Sequence, residues 1–169
     1  MSFPRDVLVT TALVALISAG GFAQQAPANN YQTPYGMPIS LETAQRAATA
    51  ALAEARKNNW YVAVAVVDPA GDLVYYEKMD NTQLGSAKVS VNKARSAALF
   101  KRPTKAFQDA LAGGGAGLRV LGLEGAVPVE GGVPLLADGK IIGAIGLSGD
   151  TSEHDGQCAK AGVDAVQKP

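Results

Sequence analysis

The apolar positions of residues 41–55 recur every three or four residues. This spacing predicts an amphipathic helix that Ser40 caps and that ends near Asn58. Residues 60–67 then form an apolar run without polar alternation, which predicts a strand covered on both faces. After a turn-forming segment, residues 73–79 predict the returning strand of a hairpin.

The second half of the chain adds helices and a second hairpin. Residues 83–100 predict a helix, and Thr104, which follows a proline, is in position to cap a short helix that ends at Leu111. Residues 133–137 and 140–147 predict two strands, joined by an Asp-Gly dipeptide that favours two-residue turns, and a last helix covers residues 150–166. The order of elements predicts an α+β domain, with a mainly antiparallel sheet and helices on both faces.

The first 23 residues have the pattern of a cleavable secretory signal, with a basic residue, an apolar run and small residues before the cleavage point. The apolar run is shorter than the roughly 20 residues of a membrane span, which favours a cleaved signal over a retained anchor. Residues 24–38 are polar and rich in proline, as in a flexible linker. We therefore expect a single domain over residues 39–169, periplasmic or secreted, with no membrane span after cleavage.

Composition narrows the possible functions. The 169 residues are 47% hydrophobic with a formal net charge of zero, which fits a packed domain and argues against a nucleic-acid binder. Cys158 is the only cysteine. The chain therefore cannot form an intrachain disulfide, a Cys-x-x-Cys-His haem attachment or a multi-cysteine metal site.

Positive charge is concentrated between residues 81 and 108, a segment without any acidic residue. Its cations are Lys88, Lys93, Arg95, Lys101, Arg102 and Lys105. Near the start of the helix that follows Thr104, such cations favour a carboxylate-bearing ligand. The alternatives are a solvated helix face or a subunit contact, with Thr104 acting only as a helix cap.

Two further groups of side chains are weaker candidates. His154 and Cys158 stand four residues apart on the last helix, a spacing that two metal ligands can use. The acidic residues near them need no metal to explain them, because the helix dipole favours negative charge in the first turn. Met79, Tyr75 and Tyr76 are able to face a hydrophobic ligand, or else they pack within the sheet.

Several short motifs in this order and spacing resemble the GlcG/HbpS haem-binding family, which includes the C-terminal domain of PduO-type proteins. The resemblance covers most of the chain after the linker. The motifs lie at residues 66–74, 78–80, 93–100, 103–104, 131–134, 142–155 and 159–162.

The resemblance implies a profilin-like or roadblock-like fold, with a five-stranded antiparallel sheet between helices, that assembles into homo-oligomers. It also implies haem as the cofactor, and some members of the family are described as haem-degrading proteins or as haem and redox sensors. By this resemblance Thr104 contacts the haem iron. The candidates for the haem propionates are Lys93, Arg95, Lys101, Arg102 and Lys105, and Met79 is a candidate for contact with the hydrophobic part of the ligand.

Three functional hypotheses remain open at this point. The first is an exported haem-binding protein, for haem capture, sensing or degradation. The second is an enzyme or accessory protein acting on a small carboxylate, in which proton transfer falls to Lys93, Tyr76 or Glu77. The third is an oligomeric scaffold without a small ligand.

Overall fold

The computed structural model of the protein describes residues 32–167. The predicted signal, residues 1–23, and most of the predicted linker lie outside the described residues. The described elements are α1 (Leu41–Lys57), β1 (Ala63–Val67), β2 (Leu73–Lys78), α2 (Ser86–Leu99), α3 (Lys105–Ala112), a 3₁₀ helix (Gly115–Gly122), β3 (Gly132–Ala137), β4 (Lys140–Ser148) and α4 (Ser152–Gln167). Within residues 32–167, no helix combines the length and apolarity needed to cross a bilayer.

The four strands form one antiparallel sheet in the order β2-β1-β4-β3. Successive side chains of a strand point to opposite faces, and every residue of β1 is buried. Val64 and Val66 pack in a core with α1 and α4, whereas Ala65 and Val67 pack in a second core with α2. The structure thus confirms an α+β domain with helices on both faces of an antiparallel sheet.

Small residues let α2 lie close to the sheet. Its buried face carries alanines, including Ala94, and β4 presents Gly146 opposite them. A Cβ atom on Gly146 would collide with the backbone of Ser90 and Ala94. This close approach fixes α2 over β4 and so determines which side chains of α2 face outward.

The β3–β4 hairpin has the predicted two-residue turn. Asp138 and Gly139 both have positive φ, 50° and 71°. Positive φ at both central positions is characteristic of the type I′ turn, whose twist matches that of the flanking strands. The Asp-Gly signal in the sequence therefore located this turn correctly.

The expectation of a five-stranded sheet is wrong for the described residues, which contain four strands. Residues 34–39 run beside the first part of β4, where they make one isolated parallel bridge, between Tyr35 and Ile141. Pro34 and Pro38 lack the N–H groups that a ladder needs, so this segment does not become a fifth strand. The profilin-like or roadblock-like classification stays a prediction.

Candidate functional site

The basic side chains of α2 point in different directions because successive residues of a helix are about 100° apart. Lys88, Asn92 and Arg95 share the exposed face, at spacings of four and three residues. Lys93 lies on the buried face with Ala94. The residues that the sequence grouped as one basic cluster therefore occupy separate environments.

Lys93 forms an ion pair inside the protein. Its Nζ donates to Oδ2 of Asp155 on α4 at 2.7 Å, and the two side chains are 1% and 2% exposed. Burial raises the pKa of Asp155, against the opposing effect of the Lys93 ammonium. The pair joins α2 to α4, and in this conformation Lys93 does not reach a ligand in solvent.

Arg95 lines a groove between α2 and β2, which we call the Arg95 groove. The helix packs over β1, β4 and β3 and leaves its side of the edge strand β2 largely uncovered, while α1 packs on the other side of β2. The groove has a volume of about 420 Å³, within the range of small-molecule sites. Its lining consists of Leu73, Tyr76, Ala87, Lys88, Val91, Asn92 and Arg95.

The Arg95 groove combines an apolar surface with two cations and no acidic lining residue among those described. Nε of Arg95 donates to the carbonyl oxygen of Gly71 at 3.0 Å, which holds the side chain against the β1–β2 turn. A guanidinium bound through Nε retains the donors of its two Nη groups. Burial raises the pKa of the Tyr76 phenol, which therefore stays protonated at neutral pH.

Thr104 occupies the predicted N-cap position of α3, but its side chain does not cap the helix. It has helical backbone angles, and its hydroxyl makes no capping hydrogen bond. Instead the hydroxyl oxygen accepts from the Gly132 N–H at 2.9 Å, and the Thr104 N–H donates to the Gly132 carbonyl oxygen at 2.9 Å. Thr104 is fully buried, so contact with a bound iron would require α3 to separate from β3.

Lys101 and Arg102 each contact an aromatic ring. Nζ of Lys101 donates to the carbonyl oxygen of Thr33 at 3.0 Å and lies 4.3 Å from the centre of the Tyr35 ring. The guanidinium carbon of Arg102 lies 5.0 Å from the centre of the Phe107 ring. Lys101 therefore contacts the segment before α1, whereas Arg102 packs on α3.

The last two predicted residues, Lys105 and Met79, lie elsewhere again. Nζ of Lys105 donates to Asp109 at 2.7 Å and lies 3.9 Å from Glu130, and the hydrogen bond to Asp109 raises the pKa of Lys105. Met79 is half-buried against the core that α1 and α4 share. Of the seven predicted site residues, only Arg95 lines the Arg95 groove.

His154 and Cys158 have different surroundings despite their spacing. Cys158 is fully buried in the core, and burial raises the pKa of its thiol to about 12. Nδ1 of His154 lies 2.6 Å from Oδ1 of Asp150, and the ring stacks on Trp60 with 3.9 Å between centroids. Among residues 32–167 no three His, Cys, Asp or Glu side chains come together as a metal site.

Sequence reasoning missed most of the Arg95 groove. Leu73, Val91 and Asn92 were not candidates, and Lys88 was noted only as part of the basic segment. The spacing of Lys88, Asn92 and Arg95 was the available signal, because residues four and seven apart lie on one helix face.

The family model described as "Haem degrading protein HbpS-like" matches residues 39–164. The chain belongs to the HbpS-like family. Its relatives include Protein GlcG of Escherichia coli strain K12, 39% identical over 110 residues that cover 65% of this chain and 81% of GlcG. The family predicted from the short sequence motifs is thereby confirmed.

Solved structures of HbpS-like relatives have the same fold. The Klebsiella pneumoniae protein ORFY superimposes with a TM-score of 0.73 at 30% identity, covering 82% of this chain and 97% of ORFY. The structure of PduOC in complex with haem gives a TM-score of 0.70 at 27% identity, covering 78% of this chain and 96% of PduOC. One relative of this fold has thus been crystallised with haem.

Proposed function

We propose that this HbpS-like protein is an exported haem-binding protein and that the Arg95 groove is its haem site. The family description and the haem complex of PduOC support haem as the ligand. The observation that carries the choice of site is that this groove combines an apolar surface, two cations and a phenol. Haem capture, sensing and degradation are all compatible with such a site.

The groove suits the two chemically different parts of haem. The macrocycle is flat and apolar, and the side chains of Leu73, Ala87 and Val91 offer it apolar surface. The propionates are anionic, and Lys88 and Arg95 lie on the same helix face beside that surface. Arginine binds carboxylates through its planar fork of donors, which makes Arg95 the stronger of the two expected contacts.

Tyr76 is our candidate for the protein ligand to the iron, which it would bind as the phenolate after releasing its proton to solvent. His, Cys, Met and Tyr are the usual protein ligands of haem iron, and Tyr76 is the one of these types that lines the groove among the described residues. Haem bound there would supply a redox-active iron centre. The role of the chain is to hold the macrocycle against α2 and to present the phenol from β2.

A haemin titration followed by the Soret band tests this proposal. The wild-type chain is expected to saturate at one haem per chain. Arg95→Gln removes a charge-assisted contact worth about 1.5 kcal/mol, so its Kd should rise roughly tenfold. Lys88→Gln should weaken binding in the same direction, and Tyr76→Phe should shift the Soret maximum of the complex.

Lys105→Gln is the matched control, because it removes an exposed cation of the same basic segment that lies outside the groove. Its affinity should equal that of the wild type. Unsaturable binding, or equal affinity of the wild type and the Arg95 and Lys88 variants, would refute the Arg95 groove as the haem site.

A small carboxylate is the second candidate ligand, because the same two cations would hold its carboxylate group. Of the residues considered for proton transfer, Lys93 is paired inside the protein and Glu77 accepts a hydrogen bond from Tyr75 at 2.8 Å. Only Tyr76 lines the groove. A carboxylate that stabilises the protein against heating when haemin does not would favour this second function.

The proposal also includes export and self-association. Export rests on the signal pattern of residues 1–23. Self-association rests on exposed apolar side chains outside the groove, including Leu84 and Leu99, which are 87% and 50% exposed. Apolar patches of this kind are typical of surfaces that another protein covers.

A further inference from the structure

A second cleft lies between α3 and the 3₁₀ helix, and we call it the Phe107 cleft. Its apolar lining includes Phe107, Ala110, Val120 and Leu123, and its charged lining residues are Arg102 and Arg119. The volume is about 430 Å³, similar to that of the Arg95 groove. The cleft shares none of its lining residues with the Arg95 groove.

The walls of the Phe107 cleft are held in place by close packing. A Cβ atom on Gly117 would collide with the carbonyl oxygen of Ala110, so the 3₁₀ helix contacts α3 directly. Phe107 and Val120 are almost fully buried. Phe107 also packs edge-to-face on Phe100, with 5.3 Å between ring centroids. The apolar floor is therefore formed before any ligand arrives, which lowers the entropic cost of binding.

The charge of the Phe107 cleft has one sign. No acidic side chain is present among the described residues that line it. Nε of Arg119 donates to the carbonyl oxygen of Ala116 at 2.7 Å, and the side chain is exposed to solvent. The Arg102 guanidinium lies over the ring of Phe107. An apolar floor beside two arginines complements a ligand with an alkyl chain and an anionic head group.

The lining favours this ligand over haem. Among the described side chains that line the cleft, none is a His, Cys, Met or Tyr, the usual protein ligands of haem iron. We propose that the Phe107 cleft binds a long-chain carboxylate. The alkyl chain lies against the exposed side chains of Ala106, Ala110 and Leu123, above the buried Phe107 and Val120, and the carboxylate pairs with Arg119.

Isothermal titration of the full chain with dodecanoate tests the proposal. Each fully buried CH₂ group tightens binding roughly fourfold. Dodecanoate has four more CH₂ groups than octanoate, so it should bind at least tenfold more tightly even if these groups are only partly buried. Dodecylammonium, with the same chain and the opposite charge, should bind more weakly than dodecanoate. Arg119→Gln should weaken dodecanoate binding roughly tenfold. The matched variant Arg46→Gln, which removes an exposed arginine outside both clefts, should leave it unchanged.

Ala110→Trp separates this proposal from the haem site, because the larger side chain fills the Phe107 cleft. We expect it to abolish dodecanoate binding and to leave the haemin titration unchanged. The proposal is overturned if dodecanoate does not bind, if chain length has no effect, or if Arg46→Gln weakens binding as much as Arg119→Gln. Two further results with Ala110→Trp would overturn it, in each case while dodecanoate still binds. Weaker haem binding would show that the cleft serves haem. An altered oligomeric mass would show that the cleft contacts a second copy of the chain.

Discussion

Replacing Lys93 by methionine tests the role of the buried ion pair between α2 and α4. The variant keeps most of the side-chain volume and removes the charge, which leaves the Asp155 carboxylate buried without its cation. The two charged atoms are 2.7 Å apart and both side chains are almost fully buried. We expect Lys93→Met to lower the free energy of unfolding by about 3–5 kcal/mol.

The magnitude follows from two opposing contributions. At 2.7 Å the Coulomb attraction is about 6 kcal/mol for an effective dielectric constant of about 20. Desolvation costs several kcal/mol for each ion, so the intact pair contributes little net stability. The single variant loses the attraction and still has the cost of burying Asp155. Replacing both residues, Lys93→Met with Asp155→Leu, should therefore return stability to within about 2 kcal/mol of the wild type.

The stability deficit of Lys93→Met should also depend on pH. Burial raises the pKa of Asp155 above its unfolded value, so the stability that its protonation contributes is present at low pH and is lost as pH rises through the folded pKa. Removing the Lys93 ammonium raises this pKa further. The deficit relative to the wild type should therefore grow between about pH 4 and pH 7.

Urea unfolding of the wild type, both single variants and the double variant, followed by circular dichroism across this pH range, measures these differences. Additive effects of the two substitutions would show that the charges are not coupled. A deficit that stays constant with pH would show that Lys93→Met acts through lost packing and not through the Asp155 carboxylate.

Two further predictions concern buried polar groups. The pKa of the Cys158 thiol is about 12, so the thiol should resist alkylation by iodoacetamide in the folded protein near neutral pH. It should react after the protein is unfolded in urea. Equal labelling rates in the folded and unfolded states would contradict the burial of this thiol. Thr104→Val leaves the buried Gly132 N–H without its acceptor, so the free energy of unfolding should fall by about 1–3 kcal/mol. Thr104→Ser retains the hydroxyl, so its free energy of unfolding should fall by less. Equal losses in urea unfolding of the two variants would assign the effect to packing alone.

The fold was largely predictable because its signals are local. The helical spacing of residues 41–55 and the unbroken apolar run of residues 60–67 correspond to α1 and to the doubly covered β1. The fifth strand was inferred from family resemblance, and the prolines beside β4 prevent it. The position of Thr104 at the start of α3 was predictable, but the partner of its hydroxyl was not, because that partner, Gly132, is distant in sequence.

The candidate site was harder to predict because proximity in sequence is not proximity on a helix surface. Lys93 and Arg95 are two residues apart and therefore lie about 200° apart around α2. The partner of Lys93 is 62 residues away, on α4. Arg95 faces a cavity because the second wall of the Arg95 groove comes from β2, whose face on this side of the sheet α2 does not cover.

The stacking of Trp60 on His154 gives this protein a local optical probe. They are the only tryptophan and the only histidine in the chain, and their rings lie nearly parallel, 12° apart, where α4 begins. Neither residue lines the Arg95 groove or the Phe107 cleft. Tryptophan emission therefore reports on one junction, between the start of the sheet and the first turn of α4. A displacement of α4 can be followed there without any added label.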